Sequence, residues 1–189
     1  MKDRIRKTLE QRETRRIYDP ELNPSAVLVP IFEKDGVSHI LLTKRTDKVE
    51  HHKGQISFPG GKYEETDGDL RQTALRECFE EIGLHPGAVE IVGELDEERT
   101  IVSQYIISPF VGFIPHPYPF KLSSWEVAEL LEVPVSVFMD ESNLRRDVII
   151  ENGITHPAYF YHYEDQVIWG ATARILNRFF ELMCKGNRS

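Results

Sequence analysis

The sequence predicts an α+β fold, a mixed β-sheet sandwiched between helices (α/β/α), and three observations carry that reading. Along residues 70–84, Leu75, Cys78, Phe79 and Ile82 stand at i, i+3, i+4 and i+7, one apolar stripe of a helix. A second stripe, Ile175, Leu176, Phe179 and Leu182, marks a helix over residues 171–183. Between and before them lie short β-branched runs, notably residues 26–32 (AVLVPIF) and 101–114, which read as strands.

In chain order, the 189 residues suit one domain with an arm, the arm over residues 1–24 and the domain over residues 25–189. A chain of this size buries about 70% of its unfolded surface and needs no staples. The arm is basic, with Lys2, Arg4, Arg6, Lys7, Arg12, Arg15 and Arg16, and Ile5 and Leu9 give it an apolar edge. Glu10 and Glu13 dilute the charge, so it reads as an amphipathic helix packed on the domain or on a second subunit. Pro20 and Pro24 end it. The run at 26–32 is a strand with Pro30 near its end, and Lys34-Asp35-Gly36 turns it into a hairpin partner, HILLTKR. Residues 44–54 form a polar loop, followed by Phe58-Pro59-Gly60-Gly61, where the glycines permit a sharp turn and close approach to a ligand. Asp67 or Asp69 caps the first long helix and Gly83 stops it.

Residues 89–95 read as a strand, and 96–100 as a loop or strand edge with solvated charges. Pro115, Pro117 and Pro119 force a loop after the β-rich stretch. Ser123 or Ser124 then caps a short helix over residues 125–131, which carries Glu126 and Glu129. Residues 148–150 and 159–161 suggest strands flanking an Asn152-Gly153 turn, and Trp169-Gly170-Ala171-Thr172 opens the final helix.

The chemistry concentrates in residues 60–84. Glu77, Glu80 and Glu81 recur at i, i+3 and i+4, so three like charges project together and repel. Glu80 and Glu81 also sit in the last turn, where the helix dipole disfavours negative charge. A hard divalent cation relieves that cost, and Mg²⁺ commonly bridges a few carboxylates to a phosphate. The formal net charge of −8 argues against general nucleic-acid binding and would repel an anionic substrate. Metal ions and a local basic patch must therefore reverse the field. Arg45, Lys48, His51 and Lys53 in the polar loop supply that patch, one strand from the glycines. A metal role for His51-His52 is disfavoured, because adjacent histidines diverge and hard cations prefer oxygen. Two cysteines far apart make no disulfide or zinc framework, and no apolar run reaches the about 20 residues of a membrane span. The expectation is a cytoplasmic protein without membrane or nucleic-acid partners, a monomer or homodimer.

The stretch Gly61, Asp67 and Arg76-Glu77-Cys78-Phe79-Glu80-Glu81-Ile82-Gly83-Leu84 resembles the signature box of the Nudix hydrolases. Its spacing from Gly61 to Arg76 is one residue longer than usual, which is similar to the coenzyme A pyrophosphatase branch. The upstream run LLTKRTDKVEHHKGQISFPGG also resembles that branch's second motif, with Glu50 where the branch usually has an arginine. The likeness continues in LDEERT, SPFVGFI, EVAELLEVP and IWGATARILN. It implies the Nudix fold and metal-dependent hydrolysis of a diphosphate linkage, with Mg²⁺ or Mn²⁺ as cofactor. The resemblance makes Glu77, Glu81 and the Gly61 carbonyl metal ligands, with Glu80 a further ligand or base and Glu126 a candidate base. Arg45, Lys48, His51, Lys53 and Gly60 would contact substrate, and Arg76, expected to face away from the cluster, would hold the helix against its loop. Coenzyme A or an acyl-coenzyme A leads as substrate, giving adenosine 3′,5′-bisphosphate and a 4′-phosphopantetheine. ADP-ribose or another nucleoside diphosphate derivative is the alternative. A non-catalytic nucleotide-binding regulator is disfavoured because all three glutamates are present.

Overall fold

Helix α1 (Lys2–Glu10) and an extended stretch lead into strand β1 (Asn23–Lys34). This computed structural model describes residues 1–48, 53–101, 103–151 and 153–185. The chain reverses through Asp35 and Gly36, at φ 51° and 76°, into β2 (Val37–Arg45). Two successive positive-φ residues match the twist of paired strands, which is why Asp-Gly works here. Then follow β3 (Ile56–Ser57), β4 (Gly60–Lys62), α2 (Leu70–Ile82), β5 (Glu90–Glu94), β6 (Glu98–Arg99) and β7 (Tyr105–Phe113). The second half holds β8 (Val127–Pro134), a short α3 (Val135–Met139), β9 (Leu144–Glu151), β10 (Ile154–Tyr163), β11 (Gln166–Ile168) and α4 (Gly170–Lys185).

The main sheet runs β3-β2-β1-β7-β5, with β4 added to β1, β6 to β7 and β8 to β2. It is mixed, because β1 pairs antiparallel with β2 and parallel with β7, from Asn23↔Tyr105 to Ile31↔Phe113. The alternation of β1 sorts its side chains between two cores. Ala26, Leu28 and Phe32 pack with Ala74, Cys78, Ile82 and Leu84 on the α2 side. Val29 and Ile31 pack with Ile5, Leu9, Leu176 and Phe179 on the other, beneath α1 and α4. Helices therefore cover both faces, as the patterning predicts. No helix among the described residues is long and apolar enough to cross a membrane.

Three readings change. Residues 127–134 are strand, not helix: β8 pairs with β2 from His39↔Pro134 to Arg45↔Val127. Val127, Leu130 and Leu131 fit a helical stripe, but the open edge of β2 offers a hydrogen-bonding partner that local preference cannot anticipate. Phe79 lies outside the buried stripe at 52% exposure, while Glu81, on the same face as Ala74 and Cys78, is 4% exposed. Of the charges at 96–100 only Arg99 is solvated. Glu97 is buried, accepting from the Ile17 amide at 2.6 Å, from Arg16 at 3.2 Å and from the Ser108 hydroxyl at 3.0 Å.

Those bonds explain the arm. Only residues 2–10 are helical, and Gly93 on β5 lets α1 settle, since a Cβ there would lie 2.7 Å from that of Leu9. Arg12 pairs with Asp96, and Arg16 reaches Glu94 at 2.6 Å, so the extended stretch is laced to residues 94–97. The hairpin around residue 153 forms as the sequence predicts, with Glu151 opposite Ile154.

Candidate active site

Strand β4 carries two glycines because nothing larger fits. A Cβ on Gly60 would lie 2.3 Å from the Ala26 carbonyl oxygen, and one on Gly61 would lie 2.4 Å from the carboxyl carbon of Glu77. Glycine thus lets the α2 carboxylates press against the backbone of β4. The Gly60 amide donates to Glu81 Oε2 at 3.3 Å, so it is spent on the protein rather than left for a substrate.

The loop between β4 and α2 is organised by Asp67. Its carboxylate accepts from Arg76 Nε at 2.6 Å and Nη2 at 3.0 Å, from Thr73 Oγ1 at 2.8 Å and from the Glu64 amide at 2.9 Å. The bond to Arg76 holds this carboxyl far below the usual carboxylate range. Asp69 caps the helix by accepting from the Gln72 amide at 2.8 Å, and Gly83 ends it at φ 69° and ψ 17°. Arg76 staples loop to helix as expected, yet it does not face away from the cluster. Its Nη1 donates to Glu77 at 2.9 Å and to Glu80 at 3.1 Å, because the guanidinium reaches along the helix surface.

Glu81 is the buried member of the set. Desolvation first, then the charge of Glu77, push its carboxyl up to about 8, with Glu126 adding to the rise and the Gly60 amide and Arg45 opposing it. Glu77 is raised too, mainly by burial, against Arg76 and with Glu80 and Glu126 adding repulsion. Glu80 is half exposed.

Glu126 belongs to this group, although the helix expected to present it does not exist. The Ser123 amide donates to the Glu81 carbonyl at 2.8 Å, the Glu126 amide to the Ser123 carbonyl at 3.0 Å, and the Thr46 amide to the Glu126 carbonyl at 2.9 Å. Three backbone bonds therefore fix a turn between the last turn of α2 and the end of β2. The Thr46 hydroxyl also donates to the Trp125 carbonyl at 2.5 Å, leaving the indole 63% exposed beside Glu126. Sequence reading passed over Trp125 and Thr46, since their placement depends on the pairing of β8 with β2.

On the basic side, Arg45 Nη1 lies 3.9 Å from Glu81 Oε1, and its Nε is buried without a hydrogen bond among the described residues. Lys48 reaches the Ser124 carbonyl at 3.1 Å, and Lys53 is exposed. His51 and Glu50 lie outside the described residues.

A hard divalent cation suits this donor set. Two carboxyls that burial and the charge of neighbouring carboxylates both shift upward are what a cation would stabilise. All donors are oxygens. Among the described residues no three His, Cys, Asp or Glu side chains already close around a common point, because Arg76 holds Glu77 and Glu80.

Residues 22–143 match the family model of the NUDIX domain. The chain is 39% identical over 152 residues to the Nudix hydrolase NudL of Yersinia pestis (strain Pestoides F), covering 80% of this chain and 75% of that protein. Two solved structures share the fold. A MutT/nudix family protein from Enterococcus faecalis aligns over 93% of this chain and 66% of its own, with TM-score 0.57 and 14% identity. The NUDIX domain of Shewanella oneidensis NrtR, complexed with ADP ribose, aligns over 63% and 79%, with TM-score 0.50 and 21% identity.

Proposed function

Since the chain belongs to the Nudix hydrolase family, enzymes that cleave a diphosphate linkage in nucleoside diphosphate derivatives, we propose that its substrate is coenzyme A or an acyl-coenzyme A. The products are adenosine 3′,5′-bisphosphate and a 4′-phosphopantetheine. The observation that carries the reaction is the meeting of Glu77, Glu81 and Glu126 from two separate segments beside Arg45. The substrate assignment is supported by the motif upstream of Gly61 and by the longer spacing to Arg76.

In this reading Glu77, Glu81 and the Gly61 carbonyl would hold Mg²⁺ or Mn²⁺, and Glu80 would be a further ligand. The ion supplies charge neutralisation and a more acidic water. Glu126 takes the proton of the attacking water, because its turn is fixed by backbone bonds and its charge is felt by both Glu77 and Glu81. Glu80 is the second candidate for that role. Arg45, part-exposed beside Glu81, and Lys48 meet the oxygens of the diphosphate. Water oxygen bonds to phosphorus, the bridging P–O bond breaks, and the leaving phosphate keeps the electron pair. Cys78 and Cys184, both free thiols, suit the reducing cytoplasm that the same reading assumes.

The test is a panel of coenzyme A, acetyl-coenzyme A and ADP-ribose with Mg²⁺ or Mn²⁺, products identified by mass. Coenzyme A should give the two monoesters at the highest kcat/KM. Preference for ADP-ribose would replace the substrate assignment and keep the site. Glu126→Gln should lower kcat by about 10²–10⁴ with little change in KM, and an unchanged kcat would move the base to Glu80.

A further inference from the structure

A cavity lined by four arginines lies apart from the catalytic carboxylates. About 610 Å³ lies between the extended N-terminal stretch, β6, β10 and α4, lined by Arg15, Ile17, His156, Tyr159, Arg174 and Arg178 among others. It opens on the α4 side of the sheet, whereas the catalytic carboxylates project from α2 on the other side. None of Glu77, Glu80, Glu81 or Glu126 lines it.

Most of the charges in its wall are already satisfied. Glu97 is taken by Ile17, Arg16 and Ser108, and Glu98 by Arg174 at 2.8 Å. Arg99 pairs with Asp19 at 3.3 Å. Glu181 is exposed and accepts from Asn177 at 2.8 Å. Asn177 is neutral, so Glu181 keeps its charge; against it stand Arg15 and Arg178. Arg178 approaches Asp96 only to 3.7 Å, and that carboxylate already accepts from Arg12 and from the Arg15 amide. Arg178 Nη1 is buried with no hydrogen bond among the described residues, which is costly for a charged donor. Arg15 projects its side chain from an exposed position over the same space. The remaining walls are mixed, with Ile17, Leu22, Ile101, Ile154 and Tyr159 set among the polar Ser103, Gln104 and His156. A volume of this size, with apolar patches between convergent polar and cationic groups, is large enough for a small molecule.

We propose that this cavity is a second binding site, for a phosphate-bearing molecule of nucleotide size, with Arg178 and Arg15 gripping the phosphate and Tyr159 and its apolar neighbours flanking the organic part. A guanidinium fork fits phosphate in bidentate fashion, and Arg178, with a third of its side chain exposed, has donors left beyond its long approach to Asp96. The site is separate from catalysis and does not depend on the substrate assigned above.

The experiment is calorimetric titration of the full chain with adenosine 3′,5′-bisphosphate in the presence of EDTA, with inorganic phosphate and succinate as comparison ligands. Wild-type protein should bind the bisphosphate saturably without metal, inorganic phosphate more weakly, and succinate least. Arg178→Gln should weaken the bisphosphate at least tenfold and Arg15→Gln several-fold, while Glu81→Gln leaves it unchanged. The Arg15 side chain is exposed, so Arg15→Gln reports on binding even if Arg178→Gln unfolds in a parallel melt. Absence of saturable binding overturns the proposal. So does binding that Glu81→Gln abolishes and the arginine variants retain, or succinate binding as tightly as the bisphosphate.

Discussion

At the scale of single residues, Gly61 is where a metal-ligand candidate presses directly on the backbone. The Glu77 carboxylate occupies the space a methyl group would need, 2.4 Å from the ideal Cβ position. Gly61→Ala should therefore push that carboxylate off the ligand face while leaving the core of α2 intact. Turnover should fall at least tenfold with the melting temperature shifted by only a few degrees. Retained turnover would mean Glu77 is free to move, contrary to its packing against β4. Glu81 shows why the site was only half legible. Three clustered glutamates are visible in the sequence, but which of them turns toward the sheet depends on α2 rolling so that Ala74, Cys78 and Glu81 share the inner face. That roll also puts Phe79 outside, edge-on to His85 at 6.1 Å.

At the scale of elements, α2 and its loop act as one stapled unit, and this can be tested from both sides. Ile82 is fully buried, so Ile82→Ala should cost about 2–5 kcal/mol in urea unfolding, whereas Phe79→Ala should cost under about 1 kcal/mol. Similar costs for the two would contradict the roll of the helix. The staple itself is Asp67. Its carboxyl titrates below the ordinary 3.8 when folded, so its stabilisation is present above that pH and is lost as pH falls below it. Asp67→Asn should cost about 1.5–3 kcal/mol at neutral pH, the range for hydrogen bonds to charged groups, and should flatten the acid side of the stability profile. An unchanged acid limb in the variant would remove the staple from the account. The ends of α2 could be read directly, because Asp69 and Gly83 act through local backbone geometry. Strand β8 could not, since nothing within residues 127–134 records that β2 leaves an edge open beside them.

At the scale of the molecule, the two cores meet across one sheet, and the N-terminal stretch closes the larger of them. Ile5 is 1% exposed beneath α1, so Ile5→Ala should cost about 2–5 kcal/mol, and a stability change within 0.5 kcal/mol would show that the arm is only loosely laid on. Its partners lie late in the chain: Lys2 and Arg6 pair with Glu90, and Arg4 donates to the Met183 carbonyl on α4. β1 likewise waits for β7, its parallel neighbour. During synthesis at about 5–20 residues per second, the arm made first is therefore the piece that docks last, about 10–35 s after it is made. For about the first half of that interval a cationic, partly apolar segment is on display in a crowded cell, with Glu90, Glu94, Asp96 and Glu97, which later neutralise it, not yet translated. The nascent chain, more than the finished enzyme, is the form in which this arm is open to chaperones and proteases.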